Sequence, residues 1–111
     1  QAGMIVAGWD RHGGGQVFGI PLGGSLLKTP FSIGGSGSAY IYGFCDKNFK
    51  ENMSYEDCRS FVVKAVSHAM ARDGSSGGVI RLVKIDSTGA HKEFIDGNKV
   101  PVHFGEMPLR Q

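Results

Sequence analysis

The residues best suited to chemistry crowd into positions 71–78, ARDGSSGG, where an acid, two hydroxyls and three glycines fall within one short stretch. Gly74-Ser75-Ser76-Gly77-Gly78 fits the G-x-S-x-G pattern, in which a strained strand-to-helix turn lifts a nucleophilic serine above a sheet. The flanking sequence reads the other way round, with an apolar-periodic helix entering and a β-branched strand leaving. Ser76, His68 and Asp73 have the residue types of a hydrolase triad, but their spacing supplies no geometry for one. A plain helix-to-strand turn, with Gly74 as the glycine that ends the helix, therefore stands beside the catalytic reading.

Gly34 to Ser38 is a second glycine-rich stretch that could form a backbone anion nest. Neither a phosphate-loop nor a dinucleotide fingerprint is present. His12, His68, His91 and His103 lack the close spacing of a zinc set, and Cys45 and Cys58 have no partner at C-x-x-C distance, so no metal is expected. Two cysteines cannot make a disulfide framework and read as reduced core residues. The 12 basic and 10 acidic side chains give a net charge of +2 and are scattered, so nucleic acid is not an expected partner. The apolar runs fall far short of the roughly 18 residues of a membrane span, and no membrane partner is expected.

The elements that must hold these residues follow from periodicity. With 111 residues, 41% apolar and 20% charged, the chain has the balance of one globular domain at most. MIVAGW at 4–9 is apolar on both alternating faces, which predicts a strand covered on two sides. DRHGGG and QVFGIPL complete a hairpin, and SLLKTPFSIGG offers one or two further short strands with an edge or kink at Pro30. In GSGSAYIYGFCDKNF, Tyr40, Ile41, Phe44 and Cys45 fit a helical face while Ala39 to Tyr42 also has strand propensity; the expectation is a helix capped by Ser36 or Ser38. The clearest helix runs over 54–72, where Ser54 and Asp57 resemble a capping box. Its apolar arc is Cys58, Phe61, Val62, Ala65, Val66 and Ala69, widened by Val63 and Met70, with Lys64 and Ser67 on the other side. A strand over 79–85, a turn at 86–89 and a strand through Phe94 and Ile95 follow, and 96–111 reads as an irregular tail. Strands, two helices and strands again make the class α+β.

Two blocks, IGGSGSAYIYGFCDKNFKENMS and ARDGSSGGVIRL, together with AGWD and GGQVF, resemble the C-terminal half of a proteasome core-particle beta subunit, from about Ala2 to Ile95. The likeness lies toward the caspase-like catalytic type and its immunoproteasome counterpart. It implies part of a four-layer αββα sandwich, the N-terminal nucleophile hydrolase fold, with residues 1–111 as the C-terminal portion of one domain. It also implies a threonine endopeptidase whose nucleophile is the hydroxyl of an amino-terminal threonine, with that residue's own amine taking part in proton transfer.

On this resemblance Ser36 matches the serine beside the threonine amine, and Asp73 and Ser76 match the acid and hydroxyl that hold the same amine. Gly35, Gly37, Gly74 and Gly77 are the backbone of the site, bringing its walls close. The threonine, and the aspartate and lysine that assist it, belong to the family's N-terminal half. Gln1 is not a threonine, so the expectation is a partial sequence without peptidase activity of its own. Implied partners are the other beta subunits of a seven-membered ring, the alpha ring and unfolded polypeptide substrates; no cofactor is implied, and the implied location is cytosol and nucleus. DRHGGGQVF leans to the inducible type and IPLGGS to the constitutive one, which leaves cleavage preference open. A non-catalytic ring subunit and a free-standing serine hydrolase using Ser76 are the alternatives.

Overall fold

The structure, a computed structural model, describes residues 1–102. Strands β1 (Met4–Asp10), β2 (Gly14–Ile20) and β3 (Leu27–Thr29) form one antiparallel sheet in the order β1-β2-β3. Two helices follow, α1 (Tyr42–Asn48) and α2 (Tyr55–Arg72), then a second sheet made by β4 (Ile80–Asp86) and β5 (Gly89–Ile95). The class is α+β, as the element order predicts. The described residues divide into two units, one of residues 1–35 and 81–94, the other of 36–80 and 95–102.

In the first unit, the β1–β2 hairpin is set by its turn. Asp10 Oδ1 accepts the His12 and Gly13 N–H groups at 2.9 and 2.6 Å, and the Gln16 side chain donates to Oδ2 at 3.1 Å. Gly14 then takes φ +67°, a conformation that favours glycine, and Asp10 pairs with Gly14. The two-sided cover expected for β1 is not supplied by the described residues: Met4, Ile5, Val6 and Trp9 are 53, 48, 50 and 41% exposed. Pro30 follows β3 directly and ends it, since a ring nitrogen cannot extend the ladder.

The second unit holds the core, built from Ile41, Cys45, Val63, Ala65, Ala69 and Ile80. Phe61 stacks on Phe44 with centroids 6.0 Å apart and meets Phe49 at the same distance, tying α2 to α1 and to the residue after it. Ser54 caps α2 by accepting the Asp57 N–H at 3.1 Å, as the sequence suggests. The apolar arc differs in two places. Ser67, placed by periodicity on the solvent side, is 1% exposed, and its hydroxyl donates to the Lys64 carbonyl at 3.0 Å, which makes a buried serine tolerable. Cys58, read as a core residue, is exposed in the first turn of α2; Cys45 is buried, and both are free thiols.

The single helix expected over 36–49 is two pieces, a 3-10 segment Ser36–Tyr40 and then α1, whose N-cap is Ile41 with no side-chain cap. Ser36 does not cap it because its hydroxyl is engaged by a carboxylate elsewhere. In the tail, Gly97–Lys99 forms one 3-10 turn where irregular chain was expected, and the expected irregular segment 103–111, with His103, lies outside the described residues.

Candidate active site

The site forms where the end of α2 meets the start of the Ser36–Tyr40 segment, both in the second unit. The helix stops because Asp73 turns extended, at φ −96° and ψ 120°, while its N–H still closes the last turn on the Ala69 carbonyl at 2.8 Å. The expected glycine stop at Gly74 is absent, since Gly74 is not left-handed; the left-handed glycine of the loop is Gly78, at φ +93°. The loop is folded instead by Asp73 itself. Its carbonyl accepts the Ser76 N–H at 3.1 Å and its Oδ1 accepts the Ser75 N–H at 3.2 Å, an Asx-type turn that brings Ser76 back over the helix end.

Two hydroxyls converge on the remaining oxygen. Ser36 Oγ and Ser76 Oγ each donate to Asp73 Oδ2 at 2.6 Å, one from 37 residues away and the other from three. These are short, charge-assisted bonds. Asp73 is 9% exposed, Ser76 is half-buried and Ser36 is exposed, so the carboxylate lies below a partly open rim of hydroxyls.

The Ser36 hydroxyl above all, then the Ser76 hydroxyl and the Ser75 N–H, hold the Asp73 carboxyl below its ordinary 3.8, against the opposing effect of burial. The charge sits at the negative end of the 18-residue α2. Each serine has spent its only proton on Asp73 and keeps lone pairs with which to accept. The cluster therefore has the charge and the free lone pairs to accept a positively charged N–H donor. Ser76 is poorly placed as a nucleophile, because its proton goes directly to a weakly basic carboxylate with no imidazole between them. The His68 ring packs on Phe44, centroids 4.7 Å apart.

The close approach expected of the glycines occurs at one of them. Gly37 is buried, and a Cβ there would stand 2.8 Å from Ser76 Oγ, 3.0 Å from Ala69 Cβ and 3.4 Å from Asp73 Oδ2. Gly35 needs its freedom for conformation, at φ +88°. Gly74 and Gly77 have open space at the Cβ position and are not left-handed, so neither brings backbone close. Gly78 and Ala69, which shape the site, carry no signal in the sequence beyond a third glycine and one more position on an apolar helix face. Among the described residues no three His, Cys, Asp or Glu side chains gather as a metal site requires, and no helix is long and apolar enough to cross a membrane.

The sequence pattern of the proteasome subunit family matches residues 1–85. The proteasome subunit beta type-6 of Dictyostelium discoideum is 58% identical over 100 residues, which is 90% of this chain and 47% of the relative. The beta type-6 subunit of Arabidopsis thaliana is 52% identical over 107 residues, 96% of this chain and 46% of the relative. The beta type-9 subunit of Salmo salar is 54% identical over 105 residues, 95% and 48%. The chain spans about half the length of the curated relatives it matches. Because the match runs through both the Ser36 turn and the Asp73 loop, the chain belongs to the proteasome subunit family, beside beta-type relatives and with the α+β, N-terminal nucleophile hydrolase fold.

Proposed function

We propose that this chain carries the amine-binding wall of the catalytic centre of a beta-type proteasome subunit, a threonine endopeptidase that cuts unfolded proteins to peptides. The observation that supports it is the meeting of Ser36 Oγ and Ser76 Oγ on one oxygen of Asp73, at 2.6 Å each. The nucleophilic threonine comes from polypeptide outside residues 1–111. Its hydroxyl oxygen bonds to the scissile carbonyl carbon while its α-amine takes the hydroxyl proton. The ammonium so formed passes that proton to the departing amine, the C–N bond breaks, and water then releases the acyl group by the same relay. Ionised Asp73 favours the charged amine, and the free lone pairs of Ser36 and Ser76 accept its N–H groups and fix its direction.

Assembly follows the family, with neighbouring beta subunits in a seven-membered ring, an alpha ring against it, and action in cytosol and nucleus. The exposed apolar residues of β1 are covered in that assembly and by the rest of the domain. A purely structural ring subunit has no use for an ammonium receptor, and a free serine hydrolase needs a base that Ser76 lacks.

The test is Asp73→Asn in the full-length, assembled subunit. The expected outcome is a fall in kcat of about 100-fold with KM little changed. Removing the negative charge also lowers the pKa of the amine, so the acidic limb of the kcat/KM profile moves to lower pH. Wild-type kinetics in this variant would refute the assignment, and fluorophosphonate labelling abolished by Ser76→Ala would replace it with the serine-hydrolase reading.

A further inference from the structure

The backbone that follows β5 presses on the loop that carries Ser76. A Cβ on Gly97 would stand 2.5 Å from the Gly78 carbonyl oxygen and 3.5 Å from its carbon, a contact with no side chain that could swing aside. Both glycines belong to the second unit. Gly97 opens a 3-10 turn in which the Lys99 N–H closes on the Asp96 carbonyl at 2.9 Å, so it cannot retreat without opening that turn. Gly78 follows Ser76 by two residues, is left-handed at φ +93°, and precedes Ile80, which is 2% exposed. Its carbonyl is thereby fixed by a glycine conformation, by a buried anchor and by the bare face of Gly97.

We propose that Gly97 is a positioning residue for the amine-binding cluster, its missing side chain letting the Gly78 carbonyl seat so that Ser76 stands in reach of Asp73. The proposal rests on the reading of Ser36, Asp73 and Ser76 given above. Any side chain at 97 displaces the Gly78 carbonyl by close to 1 Å, the shortfall from an ordinary 3.4 Å contact. The loop is held at one end by the Asp73 N–H on Ala69 and at the other by Ile80. The displacement is therefore taken up between them, at Ser75 to Gly77, and the 2.6 Å bond from Ser76 Oγ to Asp73 is the contact that changes.

The experiment is steady-state hydrolysis of a fluorogenic peptide by the full-length, assembled subunit carrying Gly97→Ala, with Gly43→Ala as control, since a Cβ on Gly43 meets nothing within 4 Å. The expected result is a loss of about 10- to 100-fold in kcat with KM held, and an unchanged control. In a Ser76→Ala background, Gly97→Ala costs no more than about twofold further, because the group it positions is gone. Wild-type kcat in Gly97→Ala, or losses that multiply in the double variant, overturn the proposal. If Gly97→Ala does not assemble, Gly78→Ala carries the same cycle from the loop side: its Cβ has open space but its φ strains the same carbonyl, and a loss that vanishes with Ser76→Ala supports the proposal while multiplying losses overturn it. The underlying reading fails separately. Wild-type kinetics in Asp73→Asn and Ser76→Ala remove the amine-binding wall itself, whereas losses there beside an inert Gly97→Ala remove only the role of Gly97.

Discussion

Gly37→Ala puts one methyl group where the Ser36 turn meets α2, and the structure fixes what that methyl encounters. It would stand 2.8 Å from Ser76 Oγ and 3.0 Å from Ala69 Cβ, short of ordinary 3.4 Å contact by about 0.6 and 0.4 Å. Ala69 lies in a regular helical turn closed by the Asp73 N–H and is 8% exposed, so it yields little. Ser76, half-buried in a loop, is the partner that moves, and moving breaks its 2.6 Å bond to Asp73. Overpacking of this kind costs about 1–3 kcal/mol of stability. A displacement of this size at a group that aligns the reacting amine costs on the order of 10- to 100-fold in kcat. The assays are urea unfolding and peptide hydrolysis by the full-length, assembled subunit. Adding Ser76→Ala removes the tighter contact, so part of the stability returns while the activity does not. An active Gly37→Ala variant with an unchanged urea midpoint would show that the two elements are not as close as described and would undo the reasoning.

Acid should loosen the cluster in a defined direction. The Asp73 carboxyl is held below 3.8, so its stabilising effect is complete above that pH and is lost as pH falls through the lowered folded value; pH-dependent unfolding of Asp73→Asn should lack this component. Ser54→Ala removes the acceptor of the Asp57 N–H at 3.1 Å and should cost about 1 kcal/mol, read as a lower urea midpoint with unchanged kcat. Ile80→Ala empties a side chain that is 2% exposed and should cost about 2–5 kcal/mol by the same measurement; a cost below 1 kcal/mol would mean the site is not packed as described.

Local order was legible because local rules govern it. Ser54 before an apolar-periodic run starts α2, the turn residues at 86–89 join β4 to β5, and DRHGGG joins β1 to β2, each through bonds that close within a few residues. The α+β class follows from that order alone. Periodicity misplaced Ser67 because it scores a hydroxyl as polar, and it cannot see that a helical serine satisfies itself on the carbonyl three residues back. It also joined the Ser36–Tyr40 turn and α1 into one helix, because Ser36 is claimed by a carboxylate 37 residues away rather than by a helix cap, and no local pattern encodes such a bond.

The sequence determined which residue types were present for the site and, through its two glycine-serine blocks, which family they resembled. Only the tertiary structure decided that Ser36 and Ser76 share a single oxygen of Asp73, that Gly37 rather than Gly74 or Gly77 makes the close approach, and that Gly97 bears on Gly78. The reason is physical. Hydrogen bonds and steric contacts fall off within an ångström, and pairs so far apart along the chain reach that range only after the second unit has packed around its core.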